Sequence, residues 1–133
     1  MRAVFADSFH FIALLNAKDP AHRRAAAEHG RKDQRIVTTD TILLEVGDAL
    51  CHPRDRDDFL ALHEFLQKDR RIKIIPLTPS LLERGVQRFR ERADKDWPLT
   101  DCISFVVMED EGIREALTGD QHFEQAGFKA LLK

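Results

Sequence analysis

The chain has 133 residues, of which 33% are charged and 43% hydrophobic, with a formal net charge of −2. This reads as one domain over residues 1–133, long enough for its own core and too apolar for a disordered chain. The longest nearly apolar stretch, Cys102 to Met108, is far short of the roughly 20 residues that cross a bilayer, and the small negative charge leaves nucleic-acid binding to local arginine-rich patches.

Met1 to Ala6 meets Asp7 without the apolar length or cleavage site of a secretory signal, so a cytoplasmic location is the expectation. In that setting a disulfide between Cys51 and Cys102 is disfavoured, and both read as packing residues. Zinc on Cys51 and His52 would need further soft ligands at useful spacing.

Ala3 to Ala6 is a short apolar run ending at Asp7, and Phe9 to Leu15 continues with apolar residues at helical spacing: strand, then helix. Pro20 fits the first turn of a second helix through about Arg31, with Asp19 as its N-cap. Ile36 to Thr39 is β-branched throughout, a second strand. Asp40 or Thr41 then caps a helix in which Ile42, Val46, Ala49 and Leu50 share a buried face, with Glu45 beside it, and Pro53 stops it.

Arg54 to Asp69 carries Phe59, Leu62, Phe65 and Leu66 among charges as an amphipathic helix does. Ile72 to Ile75 is the third strand. Pro79 and Ser80 open a helix whose inner side the pattern assigns to Leu82, Val86, Phe89 and Ala93. Thr100 caps a more buried helix from Asp101 to Glu111, closed by Gly112. Ala116 to Thr118 forms a fourth strand followed at once by Asp120, and Phe128 to Leu132 a short fifth. Strands alternating with helices predict an α/β sandwich around a mainly parallel sheet with right-handed crossovers.

Asp7, Glu45, Asp101 and Asp120 each lie where an apolar run meets a helix. Taken singly, Asp7 and Asp120 make helix caps and Asp101 suits the first-turn dipole. Glu45 resists that explanation, because it sits among Leu43, Leu44 and Val46 where a charge is rarely buried without a partner. Acids at strand ends converge in the crevice beyond the carboxyl edge of a parallel sheet, and Mg²⁺ or Mn²⁺ is the cation such oxygen donors prefer.

Several segments together carry a family resemblance. They are Val4-Phe5-Ala6-Asp7-Ser8-Phe9-His10-Phe11-Ile12-Ala13-Leu14-Leu15, Asp19-Pro20-Ala21-His22, Leu43-Leu44-Glu45-Val46, Leu99-Thr100-Asp101-Cys102-Ile103-Ser104-Phe105, Leu117-Thr118-Gly119-Asp120-Gln121-His122-Phe123 and Ala126-Gly127-Phe128. In order and spacing the chain resembles the PIN-domain ribonucleases, in particular the VapC-type toxins of toxin–antitoxin pairs, over nearly its whole length. The resemblance implies a three-layer sandwich with strand order 3-2-1-4-5. It also implies Asp7, Glu45, Asp101 and Asp120 as the catalytic, metal-binding quartet, with Ser8 and Thr118 as supporting hydroxyls.

The implied activity is hydrolysis of RNA phosphodiester bonds with one or two Mg²⁺ or Mn²⁺ ions. The implied partners are an antitoxin protein and a second copy of the chain in a homodimer. A stand-alone RNA-processing nuclease would carry the same quartet. Candidate substrate contacts are Arg84, Arg88 and Arg92, which repeat every four residues along one helix side, and His122; for the arginines a solvated face with local ion pairs is the competing reading. Arg54, Arg56, Arg70 and Arg71 form a second candidate patch.

His10 and His22 read as structural residues, and Trp97 as a packing anchor. A receiver-type binding module also clusters acids at strand ends, but it requires adjacent acids after the first strand and a lysine after the fifth, which this chain does not supply cleanly. A haloacid-dehalogenase-type phosphatase would require Asp at position 9, which is Phe9. A decayed PIN fold kept for protein contact fits poorly with retention of all four acids.

Overall fold

In the computed structural model, which describes residues 1–133, the chain runs β1 (Arg2–Ala6), α1 (Ser8–Leu15), α2 (His22–His29), β2 (Gln34–Thr39), α3 (Asp40–Ala49) and α4 (Arg56–Lys68). It continues through β3 (Ile72–Ile75), α5 (Pro79–Glu91), α6 (Leu99–Glu111), β4 (Glu115–Leu117), α7 (Gln121–Gln125) and β5 (Lys129–Ala130). The strands form one parallel sheet in the order β3-β2-β1-β4-β5. This is the three-layer α/β architecture and strand order the resemblance implied. No helix is long and apolar enough to cross a membrane.

The central strand β1 is apolar because both its neighbours and both its faces are covered. Val4, Phe5 and Ala6 have no exposed surface, and Phe5 pairs in register with Val37 on one side and Ala116 on the other. Into the same core goes α6, buried continuously from Asp101 to Met108. Its Phe105 ring meets Phe123 at 5.0 Å and Trp97 at 5.1 Å between centroids, both edge-on. Burying each such ring stabilises the fold by roughly 1.5–3 kcal/mol, and it fixes α7 and the loop before α6 to one core. Trp97 is a packing anchor, with its indole N–H donating to Gln125 at 2.9 Å.

Several element boundaries differ from the sequence reading, each for a local reason. The cap of α3 is Thr39, whose hydroxyl accepts from the Ile42 amide at 3.0 Å. Asp40 instead takes the Leu77 amide at 2.9 and 3.0 Å, bracing the loop after β3. Asp19 does not cap α2: its carboxylate closes a tight turn on the Ala21 amide, Pro20 lies within that turn, and the helix begins at His22. Helix α6 starts at Leu99 behind Pro98, so Thr100 is helical and Asp101 sits in the first turn. Strand β4 ends at Leu117, leaving Thr118 just beyond it, and β5 has two residues rather than five.

The inner face of α5 is also different. Leu81 and Gly85 are the buried residues, whereas Leu82 and Phe89 are 40% and 51% exposed. Gly85 is the reason: a Cβ there would lie 2.5 Å from Ile103 Cγ1, so α5 approaches α6 closely along a face marked by a missing side chain. On α4 the buried pair is Leu62 and Leu66, and Phe65 stays 57% exposed.

Candidate metal centre

Four elements bring the acids together at the carboxyl end of the sheet. Asp7 lies just past β1 at the start of α1, Glu45 projects from α3, Asp101 lies in the first turn of α6, and Asp120 caps α7 after β4. Strand order explains the convergence. Placing β1 beside β4 puts Asp7 next to the Thr118–Asp120 segment at the topological switch point, and the buried α6 delivers Asp101 from above.

Asp7 and Asp101 are almost wholly buried, at 4% and 5% exposure. Asp7 Oδ2 accepts the Thr118 hydroxyl at 2.8 Å, and the same hydroxyl oxygen accepts the Asp120 amide at 3.1 Å. Asp120 Oδ1 in turn takes the His122 amide at 2.9 Å, which starts α7. His122 folds back so that its Nδ1 lies 3.0 Å from Asp101 Oδ2 and 3.4 Å from Asp120 Oδ1. Thr118, Asp7, Asp120, His122 and Asp101 are thus one connected polar network. Gly119 permits it, since a Cβ there would strike the Phe9 ring at 2.5 Å from Cζ.

The electrostatics record burial first and the crowding of like charges second. Burial pushes the Asp7 carboxyl up to about 7, and the charges of Asp101 and Glu45 add to this while the Thr118 hydrogen bond opposes it. Burial likewise raises Asp101 to about 6, against the hydrogen bond from His122 and with the help of Asp120 and Glu45. Glu45 is raised by burial and by Asp120 and Asp48, and the Ser8 hydroxyl facing it pulls the other way. Asp7, Glu45 and Asp101 each therefore feel at least one other acid of the four.

Buried oxygen donors whose ionised forms repel one another suit a hard divalent cation, which relieves that repulsion and needs several carboxylates. Asp101, Asp120 and His122 each offer one ligand atom within 4.8 Å of the others. Asp7 adds an oxygen already oriented by Thr118. The residues present fit the group.

The α5 arginines are differently disposed. Arg84 forms a two-pronged pair with Asp110 at 2.6 and 2.7 Å, and Arg88 pairs with Glu109 at 2.6 Å. Arg92 pairs with Asp94 through two bonds of 3.0 Å and stacks 5.0 Å above the Trp97 ring. Their charges are engaged within the fold, chiefly with acids of α6 that no helical spacing on α5 reveals. In the second patch Arg71 is held by Asp69 and the Arg31 carbonyl. His122, the other substrate candidate, lies inside the carboxylate cluster. Its place there escapes spacing rules because Asp101 is brought to it only by the docking of α6.

Comparison with known proteins agrees with this architecture. The PIN domain family model matches residues 4–129. A similar protein is the 23S rRNA-specific endonuclease VapC20 of Mycobacterium tuberculosis, 25% identical over 125 residues that cover 94% of this chain and 95% of that one. The crystal structure of M. tuberculosis VapC20, described as a sarcin–ricin loop cleaving toxin, superposes with a TM-score of 0.84 at 24% identity over 94% of this chain and 95% of that one. VapBC2 from Rickettsia felis, solved with a DNA fragment from its promoter, shares the fold at a TM-score of 0.69 and 13% identity, covering 96% of each chain. With a match that runs from β1 into β5, the chain belongs to the PIN domain family.

Proposed function

We propose that this protein is a divalent-metal-dependent endoribonuclease that hydrolyses RNA phosphodiester bonds and acts as the toxin of a toxin–antitoxin pair. The convergence of Asp7, Glu45, Asp101 and Asp120 carries this reading, and membership of the PIN family supports it. An rRNA endonuclease among its relatives makes structured ribosomal RNA the first substrate to try.

In this reading Asp7 and Asp101 are the principal ligands of Mg²⁺ or Mn²⁺, and Asp120 and Glu45 complete the shell directly or through water. One or two ions fit four carboxylates. A cation held there would supply Lewis-acid polarisation of a phosphate oxygen and a more acidic attacking water. The chain's own part is orientation. Thr118 fixes the Asp7 carboxylate and the Asp120 backbone with one hydroxyl, Ser8 faces Glu45, and the near-complete burial of Asp7 and Asp101 keeps the local dielectric low so that these charges act strongly.

The VapBC2 neighbour supports an antitoxin partner, and the family resemblance implies a second copy of the chain. An antitoxin and a second copy of the chain are proposed as binding partners in the cytoplasm, and the exposed Leu44, Leu60, Leu77, Leu82 and Phe89 supply apolar surface for them to bury. A stand-alone RNA-processing nuclease would use the same chemistry without an antitoxin. Growth arrest on expression alone, relieved by a co-expressed small protein that co-purifies, separates the two.

The direct test is cleavage of structured and single-stranded RNAs by the purified protein with Mg²⁺, Mn²⁺ or EDTA. Asp101→Asn is expected to abolish cleavage with the fold retained. Cleavage that persists in EDTA would sink the reading.

A further inference from the structure

The carboxylates do not account for every polar group at the centre. His122 has a side chain only 17% exposed, with Nδ1 set between Asp101 Oδ2 at 3.0 Å and Asp120 Oδ1 at 3.4 Å. We propose that His122 is a ligand of the divalent cation through Nδ1, beside Asp101 and Asp120, so that the centre has a mixed oxygen–nitrogen shell and favours Mn²⁺ over Mg²⁺. This rests on the metal-dependent reading above and assigns its donor set.

Three observations carry the assignment. The first is spacing. Neighbouring ligands on an octahedron with bonds of about 2.1 Å stand about 3.0 Å apart, which is the separation of Nδ1 from the Asp101 oxygen and close to that from Asp120. Loss of the proton that the hydrogen bond requires would free both atoms to hold one cation.

The second is the other ring nitrogen. Nε2 lies 3.8 Å from Asp96 Oδ1. The two close carboxylates are on the Nδ1 side, so a cation there would take the place of the Nδ1 proton while Nε2 keeps the other, the arrangement that metal-bound imidazoles commonly have.

The third is rigidity. The His122 amide is tied to Asp120 at 2.9 Å, and its neighbour Phe123 is fully buried against Phe5 and Phe105. The ring is held at the centre by the same short helix that positions Asp120. An exposed turn residue would have neither restraint.

An imidazole nitrogen is a softer donor than carboxylate or water, and it adds more to the affinity for a transition ion than for Mg²⁺. The test is pulsed EPR of the whole protein loaded with Mn²⁺, with natural-abundance and ¹⁵N-histidine-labelled protein, together with calorimetric Mn²⁺ and Mg²⁺ titrations of wild type and His122→Asn. The expected result is a directly bound histidine nitrogen coupling that changes with the label. In the variant, Mn²⁺ affinity should fall about tenfold or more, and Mg²⁺ affinity less.

Mn²⁺ bound without histidine coupling would overturn the assignment while leaving the carboxylate centre standing. Failure of the wild type to bind Mn²⁺ would overturn both. Should His122→Asn not fold, the labelled wild-type spectrum decides alone.

Discussion

The Thr118 hydroxyl donates to Asp7 Oδ2 across 2.8 Å and accepts the Asp120 amide at 3.1 Å, so a single side chain just past β4 orients acids from opposite ends of the chain. A hydrogen bond to a buried charged group contributes roughly 1.5–3 kcal/mol. Thr118→Val removes it at nearly constant volume. RNA cleavage should fall about 10- to 100-fold, in proportion to that energy. Since the hydroxyl also restrains the upward shift of Asp7, the remaining activity should require a more alkaline medium. Matched pH–rate profiles of the two proteins check this, and superimposable profiles would count against a role for Thr118.

Asp7 at about 7 and Asp101 at about 6 hold protons at pH values where exposed carboxylates are ionised. A cation must displace those protons. Metal affinity should therefore weaken as pH falls through 7 and more steeply through 6, approaching about tenfold per unit for each proton displaced. Raising the metal concentration should shift the rise in cleavage toward lower pH. Calorimetric Mn²⁺ titrations from pH 5 to 8 measure the trend; an affinity flat across that range would show that both acids are already ionised.

Much of this was legible in the chain itself. Asp7, Asp101 and Asp120 follow short apolar runs or open helices, and Glu45 stands out as a charge on an apolar helix, so the quartet could be picked out without coordinates. The contact of His122 with Asp101 could not, because Asp101 is distant in sequence and arrives through tertiary packing. The arginine stripe on α5 followed its helical period, but its counter-charges Asp110 and Glu109 stand on the neighbouring helix. Hydrophobic periodicity also missed the inner face of α5, because the contact there is made by a glycine.

That glycine makes a direct test of the packing. A methyl group at Gly85 would meet Ile103 Cγ1 at 2.5 Å, and α5 and α6 would have to separate or Ile103 to leave its rotamer. Gly85→Ala normally favours a helix by up to about 1 kcal/mol, but overpacking costs roughly 1–3 kcal/mol. Net destabilisation is expected, measured by urea unfolding. A gain in stability would mean that the two helices have room to spare.

A pair of histidines away from the metal centre lowers stability on the acid side. His10 is fully buried on α1, with Nε2 3.1 Å from His29 Nδ1 on α2. Burial and the His29 charge lower His10 to about 3, and burial and Arg71 lower His29 against the pull of Asp69. The unfolded chain takes up these protons below about pH 6.5 while the folded one does not, so this pair withdraws stability as pH falls from 6.5 toward 3. Imidazole ¹⁵N shifts should show His10 still neutral at pH 5. Ordinary titration of His10 near 6.5 would refute the assignment.

The carboxylates act with the opposite sign in the metal-free protein. Asp7 is raised in the folded state, so its ionisation opposes folding fully above about pH 7, and the penalty fades as pH falls toward the unfolded value of 3.8. Asp7→Asn removes the charge and keeps an oxygen for the Thr118 hydroxyl. It should stabilise metal-free protein at pH 8 by roughly 2–4 kcal/mol, with little gain at pH 4 where wild-type Asp7 is already protonated. The same change is expected to abolish RNA cleavage. Urea unfolding in EDTA at the two pH values, alongside the cleavage assay, tests both halves. If the variant were less stable than wild type at pH 8, the Asp7 charge would have to be compensated within the fold, and the physical case for a cation at this centre would lose its main support.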